Sequence, residues 1–197
     1  MPEVDLAPRA WRGIDQLAEL IGAYCWVENR IFELSGAWAT GASTSPGGGL
    51  PPALRVWCAG LSRRHGLLAA CWAERLPVRA GVDRAALVCA PPGPLAGTLD
   101  GLATAPDARI GVGAMVEAVL PRLQAVYEVH GQTATPVTEG SVLEVLAGAH
   151  RDLAAEINGG RTLLEGSAEG LTRDAALTPQ VERAFDETHV FPAVHAS

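Results

Sequence analysis

Lysine is absent from this chain. All 15 basic residues are arginine, set against 22 acidic residues for a net charge of −7. A basic stripe for phosphate contacts is therefore missing, which argues against nucleic acid as a partner. No apolar run approaches the ~20 residues a bilayer-spanning helix requires, so no membrane span is expected. The opening residues, MPEVDLAPRAWRG, are acidic and interrupted by prolines, unlike a secretory signal. These absences point to a cytoplasmic protein, and the all-arginine habit points to a GC-rich bacterial genome. Cysteine is scarce. Cys25, Cys58, Cys71 and Cys89 form no Cys-x-x-Cys pair and no zinc-ligand spacing. In a reducing compartment they read as small buried hydrophobes. No stretch alternates as a strand would, SPGGGLPP lacks the Lys-Ser/Thr of a phosphate loop, and no nucleophile elbow or oxyanion signature occurs.

What remains is rich in Ala, Leu and Val. The 197 residues are 48% hydrophobic but only 5% aromatic, a composition that favours helices over sheets. The length suffices for one domain with a real core. Apolar residues recur at steps of three and four in four long segments. The first runs from about Ala10 to Trp38 and ends in a Gly/Ser/Pro loop, ATGASTSPGGGLPP. The second runs from Pro52 to Arg75, with prolines at its start where the missing N–H costs nothing. An irregular crossover of about residues 76–108 follows, in which AALVCA is apolar enough to lie against the helices. The third helix spans about Arg109 to His130, and Pro121 is expected to kink it or restart it. The fourth begins near Ser141, where Ser141 and Glu144 have the form of a capping box, and NGGR is expected to break or bend it near Asn158. Thr178 and Pro179 offer the cap and first turn of a short fifth helix. The final THVFPAVHAS is expected on the surface or frayed. The fold class is thus all-α: a four-helix bundle over residues 1–165 with a long crossover between helices two and three, then a tail, 166–197, with a short C-terminal helix.

Three seams are each interrupted by one polar residue. Ile14, Leu17, Ile21, Tyr24, Glu28, Ile31, Ser35 and Trp38 follow steps of three and four, with a carboxylate in the middle. Leu54, Cys58, Leu61, His65, Leu68 and Trp72 do the same, as do Leu143, Leu146, His150, Leu153 and Ile157. A buried charge is costly unless it is paired, hydrogen-bonded or bound to metal. On the third helix Glu117 lies beside the stripe of Val112, Val116, Val119, Leu123 and Val126. His130 lies on that stripe near the helix end, where a solvated or capping role is equally open. Tyr24, Trp26, Trp57, Trp72 and Tyr127 read as core packing. Glu33, Glu74 and Glu128 read as surface charges, and His189 and His195 as solvated.

In these polar interruptions and in its topology, the chain resembles the ferritin-like superfamily, whose members carry a Glu on the first helix and a Glu-x-x-His on the second, repeated on helices three and four. The resemblance covers about residues 10–160 and maps onto Glu28, His65, Glu117 and His150. Ser62 and Ala147 stand where the Glu of each Glu-x-x-His would be. The resemblance implies a metal site of Glu28, His65, Glu117 and His150 holding iron or manganese. The activity it implies is an iron-dependent oxidase or oxygenase acting on a small molecule. The other reading is a metal-free helical binding or interaction protein, whose buried polar cluster fixes helix register or lines a ligand pocket. A homodimer is expected under either reading.

Overall fold

The computed structural model describes residues 12–42, 49–78, 80–166 and 177–194. Regular structure among the described residues is all helical. The first seam becomes the inner face of α1 (Ile14–Thr40), where Ile21, Tyr24, Glu28, Ile31, Ser35 and Trp38 are all buried. Ile14 is half exposed at its start. Gly41, in the left-handed region at φ 74°, ends the helix by donating its N–H to the Ala37 carbonyl. Helix α2 (Pro52–Arg75) starts and stops where the prolines and the loss of periodicity place its ends. Leu54, Cys58, Leu61, His65 and Trp72 are buried along it. Helices α1 and α2 pack most intimately. Ser62 Oγ donates to the Phe32 carbonyl at 2.9 Å, and Gly36 faces Ser62 directly.

The crossover is more ordered than its composition suggests. A single turn, Arg84–Leu87, rests on α1 at Gly22, where a β-carbon would run into the Leu87 backbone carbonyl. Leu87 and Val88 of AALVCA pack against the core, while Cys89 is exposed. Helix α3 (Leu95–Ala103) was not expected. Its Leu95, Leu99 and Leu102 are fully buried, a 4–3 spacing hidden among glycines and prolines. Arg30 on α1 pairs with Asp100 at 2.6 Å and holds α3 in place.

The third helical stretch comprises α4 (Ala108–Ala114), a wide π turn at Met115–Val119 and α5 (Leu120–Thr133). The turn sits immediately before Pro121, whose ring excludes a regular bond to the preceding turn. The valine stripe and His130 are buried along it. Helix α6 departs from expectation at both ends. It runs Pro136–Glu165, with a local irregularity at Glu139. Ser141 and Glu144 lie inside it and are exposed, so they form no capping box. The start is made by Pro136 and by Glu139, whose Oε1 accepts the Thr135 N–H at 3.3 Å. NGGR does not end the helix either, because Gly160 has a packing role. A β-carbon there would lie 2.7 Å from Val116 Cγ2 and 2.9 Å from Trp57 Cζ2.

Helix α7 (Leu177–Asp186) buries Val181, Ala184 and Phe185 in the same core, and Thr178 and Pro179 lie in its first turn. The segment beyond it is not frayed over the described residues. Thr188 and Phe191 are buried, with Phe191 stacked on Tyr24 at 5.6 Å and on Phe185 at 5.9 Å. His189 is exposed, and His195 lies outside the described residues. No described helix is long and apolar enough to cross a membrane. Cys25 and Cys58 are buried as expected, but Cys71, on the outer face of α2, and Cys89, in the irregular crossover, are exposed.

The glycine contacts separate two otherwise similar substitutions. Gly22→Ala is expected to destabilise the protein by about 1–3 kcal/mol in urea unfolding, because the overpacking at Leu87 outweighs the gain in helix propensity. Gly148→Ala, on α6 with no atom near its missing β-carbon, is expected to stabilise by about 0.5–1 kcal/mol. Equal effects at the two positions would contradict the close approach of the crossover to α1.

Candidate functional site

Glu28 is completely buried, and both of its carboxylate oxygens are engaged. The Tyr127 hydroxyl donates to Oε1, and His65 Nδ1 meets Oε2. The far side of the imidazole continues the chain: His65 Nε2 lies 3.1 Å from Glu156 Oε2, and Arg64 Nε donates to Glu156 Oε1. Trp72 Nε1–H donates to the Tyr127 oxygen at 3.0 Å. The cluster draws Glu28 from α1, His65 from α2, Tyr127 from α5 and Glu156 from α6.

The proton inventory follows from the environment. Burial alone would lower the His65 pKa. The Glu28 charge and the hydrogen bonds to Glu156 and Glu28 overcome it and raise the imidazole from its ordinary 6.5 to about 9. His65 is therefore a cation at neutral pH and donates from both nitrogens. Burial pushes Glu156 upward, but the His65 hydrogen bond and charge, followed by Arg64, hold its carboxyl below the usual value. Burial, reinforced by the Glu28 charge, keeps the Tyr127 phenol protonated far above its ordinary pKa. Two carboxylates thus face one buried imidazolium and one partly exposed guanidinium, and the charge of the cluster balances.

A second network lies one turn away. His130 Nε2 is 2.8 Å from Glu139 Oε2, and Tyr24 Oη is 3.1 Å from His130 Nδ1. Burial, with a further contribution from the Arg12 charge, lowers the His130 pKa. The ring is neutral: Nε2–H donates to the carboxylate, which leaves Nδ1 to accept from Tyr24. Arg12 closes this network, 3.7 Å from Glu139 and donating to Thr133 Oγ1 at 3.1 Å. Tyr24 and Tyr127 meet edge to face at 4.9 Å, and Trp72 lies 5.1 Å from Tyr24, so an aromatic joint separates the two networks.

Of the four residues expected to share a metal, Glu28 and His65 are brought together. Glu117 and His150 are not part of the cluster. Glu117 lies in the π turn and pairs with Arg161 of α6 at 3.3 Å. His150 is 43% exposed, with Nε2 3.9 Å from a Glu128 oxygen. The inner face of α6 passes through Leu146, Ala149, Leu153, Glu156, Ile157, Gly160 and Leu164; Leu146, Leu153 and Ile157 of the expected seam lie on it, but Ala149 takes the inward place expected of His150. Glu156 stands three residues after Leu153 and was visible by that spacing. Tyr127 carried no signal, because a buried aromatic is ordinarily core. Ser62 is spent on the α1–α2 contact, and Ala147 is exposed.

The donors at the centre do not fit a metal ion. Nδ1 and Nε2 point to opposite sides of the ring, so Glu28 and Glu156 cannot join His65 around one cation, and the Arg64 guanidinium already occupies Glu156. Among the described residues, no group of three or more His, Cys, Asp or Glu side chains is arranged to hold a metal. No protein-family model, curated protein or solved structure matches this chain.

The cluster reaches solvent at a cleft of about 190 Å³ between α2 and α6, with His65 and Glu156 in its wall beside Arg64, Leu68, Asp152 and Leu153. A larger, shallower groove of about 450 Å³ between α5 and α6 touches Tyr127 and His150. The former is the candidate site because it ends on the buried ionised groups.

The raised His65 pKa sets a pH dependence. Its contribution to stability is fully present below about pH 6.5 and is lost as pH rises through about 9. A shift of this size corresponds to about 3 kcal/mol. Glu156 acts in the opposite window: its contribution is present above the ordinary carboxylate pKa and is lost on acidification. Urea unfolding of the wild type is expected to weaken between pH 6.5 and 9, roughly by that amount. His65→Gln should be less stable at pH 6 and lack this alkaline slope. Parallel slopes in the two proteins would show that His65 is not the titrating group.

Proposed function

We propose that this protein is a metal-free helical bundle, ferritin-like in layout, which binds a small molecule in the α2–α6 cleft. The observation that carries this reading is the closed set of bonds around His65. Both ring nitrogens and all four carboxylate oxygens of Glu28 and Glu156 have protein partners, and one of the four cluster residues comes from each long helical stretch. Hydrogen bonds and charge balance thus do at the bundle centre what a metal would do: they neutralise inward carboxylates and tie four helices to one point. The cleft supplies apolar walls with a few fixed polar groups, the usual character of a small-molecule site.

The iron- or manganese-dependent oxidase reading rests on one observation, two carboxylates and an imidazole at the bundle centre, and the test separates the two. The protein purified without a His tag is expected to carry only substoichiometric iron, manganese and zinc by elemental mass spectrometry. Its Tm should not rise when these ions are added anaerobically. A full equivalent of metal, lost in Glu156→Gln and in a Glu28→Ala/His65→Ala double variant, would overturn the metal-free reading. For the binding role, a fragment screen by ligand-observed NMR should give hits that disappear when Leu68→Trp fills the cleft. Hits that survive this substitution, or a screen with none, would count against the cleft.

A further inference from the structure

We infer that the ligand of the α2–α6 cleft is a small organic cation, a primary amine carried on a short apolar body. This deepens the binding role proposed above and rests on it. The argument begins with charge. Glu28, Glu156 and Asp152 lie in the cleft or immediately behind it, against His65 and Arg64, which leaves one negative charge in excess. Asp152 supplies that excess. It stands one turn before Glu156 on α6, so both carboxylates face the same opening. Asp152 is exposed, and no ion pair to it occurs among the described residues.

The second part is an internal mimic. The spot against Glu156 already takes a cation, because Arg64 reaches over from α2 and donates its Nε–H there. Its side chain is 44% exposed, whereas Glu156 is 4% exposed. Arg64 therefore lies on the outside of the contact, on a flexible stem that can swing to solvent. An incoming ammonium that replaces it leaves the charge of the cluster unchanged and gains Asp152 as a second partner. An incoming carboxylate would face the two carboxylates that line the cleft, Glu156 and Asp152, and gain no partner that is not already engaged. His65, 2% exposed and bonded on both sides, stays in place as the floor.

The third part is size and lining. The apolar wall is Leu67, Leu68, Ala149 and Leu153, and the space of about 190 Å³ is roughly that of six water molecules in the liquid. A branched alkylamine of about six heavy atoms fits within this volume.

The experiment uses three probes of similar body, isoamylammonium, isoamyl alcohol and 4-methylpentanoate, titrated into the full chain and followed by backbone amide chemical shifts. Isoamylammonium is expected to move the signals of residues 64–71 and 149–156, and the other two to bind weakly or not at all. Asp152→Asn should weaken the amine about three- to tenfold, and added salt should do the same. Arg64→Gln, which removes the competing cation, should strengthen it. The cation assignment is overturned if the acid or alcohol binds the cleft as well as the amine, if the amine shifts only residues elsewhere, or if Arg64→Gln abolishes binding. In the first case the cleft remains a binding site with a different ligand. If neither these probes nor the fragment screen reach it, the binding role itself fails.

Discussion

The interaction on which the rest of the core depends is the imidazolium of His65, held between two buried carboxylates. Taking Glu28 and Glu156 out of water carries a desolvation penalty of several kcal/mol each, and attraction to His65 and Arg64 offsets it only because every oxygen also has a hydrogen-bond partner. Such a cluster is a poor source of net stability, since well-packed apolar side chains of equal volume do as well. It is a strong source of specificity. Removing one partner from a buried pair typically costs ~3–5 kcal/mol, because the other charge is left bare. The helices can therefore pack in one arrangement that satisfies the set and in few others.

The two histidines of the core illustrate how environment assigns charge. His65 sits between two carboxylates and is pushed up; His130 has one carboxylate, a phenol and the nearby Arg12, and is pushed down. Both are buried, and both stand on an apolar stripe. The difference lies in what the neighbouring helices contribute. Tyr24 and Tyr127 form the joint between these regimes, with a phenol bonded into each network and the rings in edge contact. Phe191 then closes the apolar side of Tyr24.

Much of this was legible in the sequence. The 3–4 steps located α2 to the residue, placed the start of α1 four residues too early, and identified Glu28 and His65 as inward, because a long regular helix propagates its phase faithfully. On α6 they held at Leu146, Leu153 and Ile157 but failed between them, where a small residue, Ala149, marks the inward face and a neighbouring imidazole attracts the eye. Counting through His150 to Leu153 and Ile157 passed over Glu156, which shares that buried face. Capping chemistry misled in the same region: Ser141 and Glu144 have the right spacing, but Pro136 and Glu139 begin the helix earlier, and Glu139 serves His130 as well as the helix start. Gly159 and Gly160 looked like a stop signal. The smallness of Gly160 instead admits Trp57 and Val116 from other helices, a tertiary demand that no local reading contains. Arg64 and Tyr127 joined the cluster unseen, because an exposed arginine and a buried tyrosine are ordinary in any helical protein.

A cluster that takes one side chain from each of four helical stretches also constrains how such a chain can change length over evolution. Inserting or deleting a single residue turns everything beyond it by about 100° around the helix axis. Between the cluster residue and the next packed position, that rotation would carry Glu28, His65, Tyr127 or Glu156 out of reach of its partners. The π turn at Met115–Val119 has the form of a one-residue insertion already absorbed, and it lies on the far side of Pro121 from Tyr127, where the added turn leaves the cluster in phase. An insertion or deletion that preserves the cluster therefore belongs in the connections, above all in the crossover between α2 and α4, while the four helical stretches act as fixed-length rods pinned at one shared point.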